Sequence, residues 1–297
     1  FEFEADTLDK FIYLSAPPPI VVPEIAEGRE EVVVAEVERQ GPEVAVPVFL
    51  KMVADESVPL RRRIAAAEAL GRLGDPRLSE WVEVPAGEFI MGAGDEQREV
   101  YVDAFKIAKY PLTNVQYAEF VQAAGYELPL HWEGSTCPRN KANHPVVNIS
   151  WHDAVAYCEW LTGKLRKEGK LGMDEEIRLL TEKEWEKAAR GTDGRAYPWG
   201  NRFDTNRCNT RESGIRDTTP VGVYPGGTSP YGVMDMAGNV WEWTASEYQV
   251  LRGGSWNRSA SFAHCAGRYR SDSLVPMLPD TVGMRVGWCA ILSSTTK

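Results

Sequence analysis

The sequence predicts an α+β fold, rich in turns, preceded by a small helical segment. Three observations predict it. Apolar side chains recur at helical spacing between Leu60 and Leu73. From about residue 80 the chain becomes dense in Gly, Trp and turn dipeptides. Within that dense zone Ser150 and Thr181 stand where helix N-caps belong.

Residues 1–42 open the chain with Ala16-Pro17-Pro18-Pro19 and then an acidic run around Glu24 to Glu38. Successive prolines favour extended polyproline geometry and forbid helix. Val32-Val33-Val34 fits a short strand or a turn of helix, and the residues alone do not choose. In residues 43–79, Leu60, Ile64, Ala67, Leu70 and Leu73 form a helical stripe. Gly74 ends it and Pro76 confirms the stop. With Val48, Phe49 and Val53 upstream, this reads as a HEAT-like helical hairpin closing on Leu73-Gly74-Asp75-Pro76-Arg77. A lone repeat cannot bury its own face. It must pack on the next domain or belong to a longer array.

Residues 80–289 form the main domain, and 290–297 are read as a tail. Asn114 to Ala123 is a predicted helix with Val115, Ala118, Phe120 and Val121 apolar. Ser150 to Leu161 is a second, capped by Ser150 with Asp153 at the third helical position and an Ala154, Tyr157, Cys158, Leu161 stripe. Thr181 to Arg190 repeats the device, with Glu184 completing a capping box.

The bulk numbers narrow function. The 297 residues are 43% hydrophobic and 10% aromatic, enough for a full core. A net charge of −10 argues against nucleic acid, whose phosphates need a basic footprint. The five cysteines, Cys137, Cys158, Cys208, Cys265 and Cys289, are odd in number and none sits at C-x-x-C spacing. A zinc site or disulfide scaffold is therefore not expected, and reduced thiols imply a cytoplasmic protein. No apolar run reaches the length of a membrane span. The start, Phe1-Glu2-Phe3-Glu4, is acidic where a signal peptide is basic. No Gly-rich phosphate loop and no G-x-S-x-G elbow occur.

Ordered motifs then run through the main domain. They begin with Trp81-Val82-Glu83-Val84-Pro85-Ala86-Gly87-Glu88-Phe89, Pro111-Leu112-Thr113-Asn114 and His144-Pro145-Val146-Val147-Asn148. Arg178-Leu179-Leu180-Thr181-Glu182, Glu184-Trp185-Glu186-Lys187-Ala188-Ala189-Arg190-Gly191 and Tyr197-Pro198-Trp199-Gly200 follow. Asp235-Met236-Ala237-Gly238-Asn239-Val240-Trp241-Glu242-Trp243, Leu251-Arg252-Gly253-Gly254-Ser255-Trp256 and Gly283-Met284-Arg285-Val286 close the series. Over roughly two thirds of the chain this resembles the formylglycine-generating-enzyme / sulfatase-modifying-factor family. The resemblance implies a C-type-lectin-like fold with little regular secondary structure.

It also implies a chemical test. Active family members oxidise a substrate cysteine with two close, copper-binding cysteines just after the Gly-Gly-Ser-Trp element. Here that stretch is Trp256-Asn257-Arg258-Ser259-Ala260-Ser261-Phe262-Ala263-His264-Cys265. The first cysteine is missing, and one thiol does not make a bis-thiolate Cu(I) site. No copper is expected, no catalytic residue is assigned, and Cys265 reads as a small buried hydrophobe. His131, His144 and His152 lie close in sequence but read as structural, and the family's iron-dependent members keep their ligands in a separate helical domain not seen here. For calcium, the resemblance implies the side chains of Asp235 and Glu242 with the carbonyls of Gly238 and Val240, an all-oxygen set suited to a hard cation. Equally, Asp235 and Glu242 could cap the tight Ala237-Gly238-Asn239 turn. In the family's other calcium loop Asn209 remains, without a clear acidic counterpart before Thr219.

Residues 257–282 lie between the fixed-looking elements Arg252–Trp256 and Gly283–Val286. The arrangement resembles the variable region of proteins diversified by retroelements, which randomise adenines in Asn codons. Such mutation cannot yield Lys, Glu, Gln, Met or Trp. These five types make up 62 of the 297 residues, so about five are expected in the segment; it holds only Met277. A surface loop poor in Glu and Lys has the same composition. The expected function is a non-catalytic ligand-binding protein with a variable surface made of Asn257, Ser259, Ser261, Phe262, Gly267, Tyr269, Ser271, Asp272, Ser273, Leu274, Leu278, Asp280 and Thr281. Its partner would be a protein or another macromolecule. A fixed pseudo-enzyme interaction module is the alternative, and a residual cysteine oxidase the third.

Overall fold

The computed structural model describes residues 30–129, 131–132, 137–246, 250–270 and 281–290. Three helices come first: α1 (Glu30–Glu38), α2 (Pro42–Ala54) and α3 (Leu60–Leu73). The valines left open in the sequence are helical, because Val33, Val34 and Val37 fall on one buried face. Pro42 starts α2, where its missing N–H costs nothing. In α3, Ala65, Ala66, Ala67 and Ala69 are buried, and small side chains let the helices pack closely. The bundle also packs on Val223 and Tyr224 of the larger domain. Asn143 seals that junction by donating to the Ala67 carbonyl at 3.0 Å. The expected hairpin is thus a three-helix unit whose open face is covered.

The larger domain holds β1 (Trp81–Val84), β2 (Gly87–Met91), β3 (Arg98–Val102), β4 (Phe105–Ala108), α4 (Asn114–Ala124), α5 (Trp151–Lys167), β5 (Glu175–Leu179) and α6 (Glu182–Arg190). It continues with β6 (Trp241–Trp243), β7 (Val250–Arg252), β8 (Arg268–Arg270), β9 (Val282–Met284) and β10 (Val286–Ala290). One sheet has the order β1-β4-β10-β5, so the last strand of the domain lies beside an early one. β2 and β3 form a separate hairpin, and a second sheet runs β8-β7-β6-β9. Within it β9 lies parallel to β6, with Glu242 opposite Gly283.

Each of α4, α5 and α6 opens on a capping box: Thr113 with Gln116, Ser150 with Asp153, and Thr181 with Glu184. The buried face of α4 runs through Tyr117 and Phe120, not Val115, which is exposed. α5 extends to Lys167, past the expected end at Leu161, and has Lys164, Arg166 and Lys167 in its last turn, where they suit the helix dipole. The tryptophans act as polar-tipped core plates. Trp185, Trp241 and Trp243 are fully buried, and burying such a ring contributes on the order of 3 kcal/mol. Trp243 donates to the Ile149 carbonyl at 3.0 Å, and Trp151 to that of Thr244 at 2.9 Å.

Candidate functional site

The site is built on the β8-β7-β6-β9 sheet. After β7 the chain turns through Gly253 and Gly254, both at positive φ. The Gly238 N–H donates to the Gly253 carbonyl at 2.7 Å, and the Trp256 N–H to that of Asn239 at 3.0 Å. These bonds lock the Gly-Gly-Ser-Trp element onto the Asp235–Glu242 loop. Two buried ion groups hold the strands from below. Arg285 meets Glu242 with Nε at 3.1 Å and a terminal nitrogen at 2.9 Å, and its remaining donors reach the carbonyls of Ala108, Lys109 and Met234. Trp185 adds an indole N–H to Glu242 at 2.7 Å. Glu186 accepts from both Arg190, at 2.6 Å, and Arg252. Arg252 also donates to the Gly267 carbonyl at 3.1 Å, tying β7 to the residues before β8.

On this frame lies the described part of the predicted surface. Ser255 donates to the Asn257 side chain at 2.9 Å, and the Ser259 and Ser261 hydroxyls pair at 2.9 Å. The Ala260 N–H donates to Glu212 at 3.1 Å. Phe262 is 39% exposed, so it is not a core residue. Its ring meets Trp241 edge-on at 6.1 Å, and Tyr269 lies tilted against the same indole at 6.0 Å. The structure therefore brings Phe262 and Tyr269 together against Trp241, with Asn257 and Ser259 half-buried and Ser261 exposed in the stretch before Phe262. Gly267 and Thr281 do not belong to the surface. A Cβ at Gly267 would come within 2.8 Å of the His264 and Phe262 carbonyls, so the position is kept bare by the backbone. Thr281 is 1% exposed, at the entry to β9. Ser271, Asp272, Ser273, Leu274, Leu278 and Asp280 lie outside the described residues.

Two contributors escaped the sequence reading. Trp241 sits in a motif that looks purely structural. Arg258 places its guanidinium 5.8 Å from the centre of the Phe262 ring.

Cys265 is fully buried, and burial pushes its thiol up to about 12. A reactive thiol needs the opposite, a lowered pKa and access. His144 is buried against the Thr218 hydroxyl at 2.8 Å, and burial lowers its pKa. Among the described residues no group of three or more His, Cys, Asp or Glu is placed to hold a metal. The calcium set does not fit as the residues stand. The Glu242 carboxylate is engaged by Arg285 and Trp185, so a guanidinium occupies the cation's place. Among the described residues Asp235 has no ion-pair partner. One of its oxygens accepts from the Gly222 N–H at 2.7 Å, and burial pushes its carboxyl up to about 6.

The sheets and capped helices define a C-type-lectin-like domain with little regular secondary structure. The model of the sulfatase-modifying factor enzyme 1-like domain matches residues 67–289, and the chain belongs to that family. The inactive C-alpha-formylglycine-generating enzyme 2 of Mus musculus is 34% identical over 296 residues, covering 77% of this chain and 90% of its own length. The formylglycine-generating enzyme of the same organism is 28% identical, covering 79% and 82%. Among solved structures, Treponema denticola variable protein 1 has a TM-score of 0.58 at 22% identity, covering 71% of this chain and 95% of its own, a likeness of fold. No helix among the described residues is long and apolar enough to cross a membrane.

Proposed function

We propose that the chain is a non-catalytic ligand-binding protein that presents residues 257–282 on a lectin-like frame, and that a retroelement diversifies this segment. One observation carries the reading: between two frame elements, the segment holds only Met277 of the five residue types that adenine mutation of Asn codons cannot produce. Position supports it. Phe262 and Tyr269 meet at Trp241, and Ser259 and Ser261 pair with each other, while neighbouring frame side chains are held in buried ion groups. A protein or another macromolecule is the partner, since function sits on loops carried by a rigid scaffold. All five cysteines are free thiols, in keeping with a reducing cytoplasm.

A fixed pseudo-enzyme interaction module is the second reading. The 34% identity to an inactive relative, spanning 90% of its length, favours it. Deep sequencing of the DNA encoding residues 251–286 across a cell population separates the two. Diversification requires variants concentrated at adenine-derived codons, unchanged Arg252–Trp256 and Gly283–Arg285, and a near-copy template nearby. An invariant segment without a template sinks it and leaves the fixed module. A residual oxidase is excluded if a Cys265→Ala protein and the wild type leave a thiol peptide equally unoxidised.

A further inference from the structure

At one end of the β1-β4-β10-β5 sheet lies a cavity of about 510 Å³. Small-molecule sites span about 300–1,000 Å³. The strand register sets its floor. Lys106 lies opposite Glu83 on one side and Trp288 on the other, and Trp288 lies opposite Ile177. Side chains two residues apart on a strand share a face, so Glu175 joins Ile177 there. From β1 across to β5 this face carries Glu83, Lys106, Trp288 and Glu175, and all four line the cavity. The ring contacts agree. Trp81, two residues before Glu83, meets Trp288 edge-on at 5.5 Å, and Lys106 Nζ lies 4.6 Å from the centre of the Trp288 ring. Further along the strands α5 covers the same face: the Thr162 hydroxyl accepts from the Ile177 N–H at 2.9 Å, and Tyr157, Leu179 and Val286 share one apolar cluster.

The charges that line the cavity do not balance. Lys106 meets Glu83 at 3.9 Å, with the side chains 39% and 81% exposed. Such a pair is worth little and opens readily. Glu175 has no ion pair among the described residues. One of its oxygens accepts from the Gly172 N–H at 2.9 Å, which fixes the carboxylate in place. Its partner on β10 is Ala290, whose methyl group leaves room beside it. Pro85 and Ala104 add apolar wall. Two carboxylates against one ammonium leave the cavity acidic, within a chain of net charge −10. An aromatic face attracts a cation, and the Trp288 ring already does so with Lys106.

We propose that this cavity binds a small organic cation, an amine or quaternary ammonium on an apolar body, with its charge beside Glu175 and the Trp288 ring. The site stands on the other sheet from residues 257–270 and is independent of how that segment is used. The test is calorimetric titration of the full chain with three probes that share a phenyl ring: benzyltrimethylammonium, benzyl alcohol and benzoate. Benzyltrimethylammonium is expected to bind at one site per chain, about tenfold or more tighter than the other two. Glu175→Gln keeps an acceptor for the Gly172 N–H and removes the charge, so binding should weaken about threefold or more. Trp288→Phe should weaken it by about as much, since Phe is the poorer partner for a cation. Lys106→Gln removes a competing ammonium and should strengthen binding about threefold, whereas an anionic or zwitterionic ligand would lose affinity. Lys164→Gln is the control. Lys164 also lies over a tryptophan, 5.4 Å from the centre of the Trp160 ring, and pairs with Glu119, but it stands on α5. It should change nothing. Unchanged thermal melting shows that the variants fold, and Glu175→Gln carries the test if Trp288→Phe melts early. Equal binding of benzyl alcohol or benzoate, no binding at all, no effect of Glu175→Gln, weakening by Lys106→Gln, or the same gain from Lys164→Gln overturns the proposal.

Discussion

The strands β6, β7 and β9 and the residues that follow Trp256 are built by opposite rules. Below, Arg285 uses its guanidinium donors on Glu242 and three carbonyls, and Glu186 is clasped by two arginines, all of them buried. Above, Ser259 and Ser261 bond each other, and Arg258 rests on an exposed ring. A buried charge tolerates no loss of its partner, whereas a half-exposed hydroxyl exchanges its partner for water. The difference teaches where change is affordable. The frame fixes geometry, and the segment is free to set contacts.

The sharpest way to break the comparison is to remove a frame charge. Arg285→Met leaves Glu242 buried with, among the described residues, the Trp185 N–H as its one remaining donor. Removing one member of a buried pair costs about 3–5 kcal/mol. Urea unfolding should show a loss of that size, and Glu242→Leu added to Arg285→Met should recover much of it, because no unpaired charge remains. A loss below about 1 kcal/mol would place the pair in the class of surface ion pairs and remove the contrast.

These charges were also the least legible part of the sequence. The helix starts could be read because a capping box is local: Ser150 and Asp153, or Thr181 and Glu184, sit three residues apart. Arg285 and Glu242 are 43 apart, and Arg252 and Glu186 are 66 apart; only the folded sheet brings them together. The same limit misplaced Gly267 and Thr281. Both look like small loop residues, yet one is kept bare by backbone carbonyls and the other is interior. The motif order carried the lectin-like fold. That Phe262 faces out while Trp241 floors it depends on packing that no spacing encodes.

Asp235 sharpens the comparison from inside the frame, since it is a buried acid without an ion-pair partner among the described residues. Burial pushes its pKa from 3.8 up to about 6. For an acid raised in the folded state, protonation favours folding. Relative to a permanently neutral side chain, the wild type should match Asp235→Asn below about pH 4 and fall behind as pH rises through about 6. The gap should reach about 3 kcal/mol at most. Asn keeps an acceptor for the Gly222 N–H and tolerates the positive φ at this position. Chemical unfolding of both proteins between pH 4 and pH 8 reads the gap directly. Repeating the series with calcium and with chelator tests the metal set: with Glu242 held by Arg285, neither addition should move the wild-type curve. A rise with calcium that Asp235→Asn lacks would show that Arg285 releases Glu242 to a cation.

The smallest effects belong to the segment itself. Ser261 is exposed, and among the described residues its hydroxyl pairs with that of Ser259. Ser261→Arg, Ser261→Tyr and Ser261→Asp should each change stability by about 0.5 kcal/mol or less, as surface substitutions do. Phe262→Ser should cost somewhat more, about 1 kcal/mol, because it gives up the edge contact with Trp241. Gly267→Ser is the control that separates position from exposure. It lies in the same segment and changes as little chemistry, but its Cβ runs into the His264 and Phe262 carbonyls. Its loss should therefore exceed that of every Ser261 variant. If Gly267→Ser is as silent as Ser261→Tyr, the segment is uniformly permissive and the backbone does not divide scaffold from contact positions. If Ser261 variants are as costly as Gly267→Ser, the segment is frame throughout, and a surface that cannot change without unfolding is not one that diversification can use.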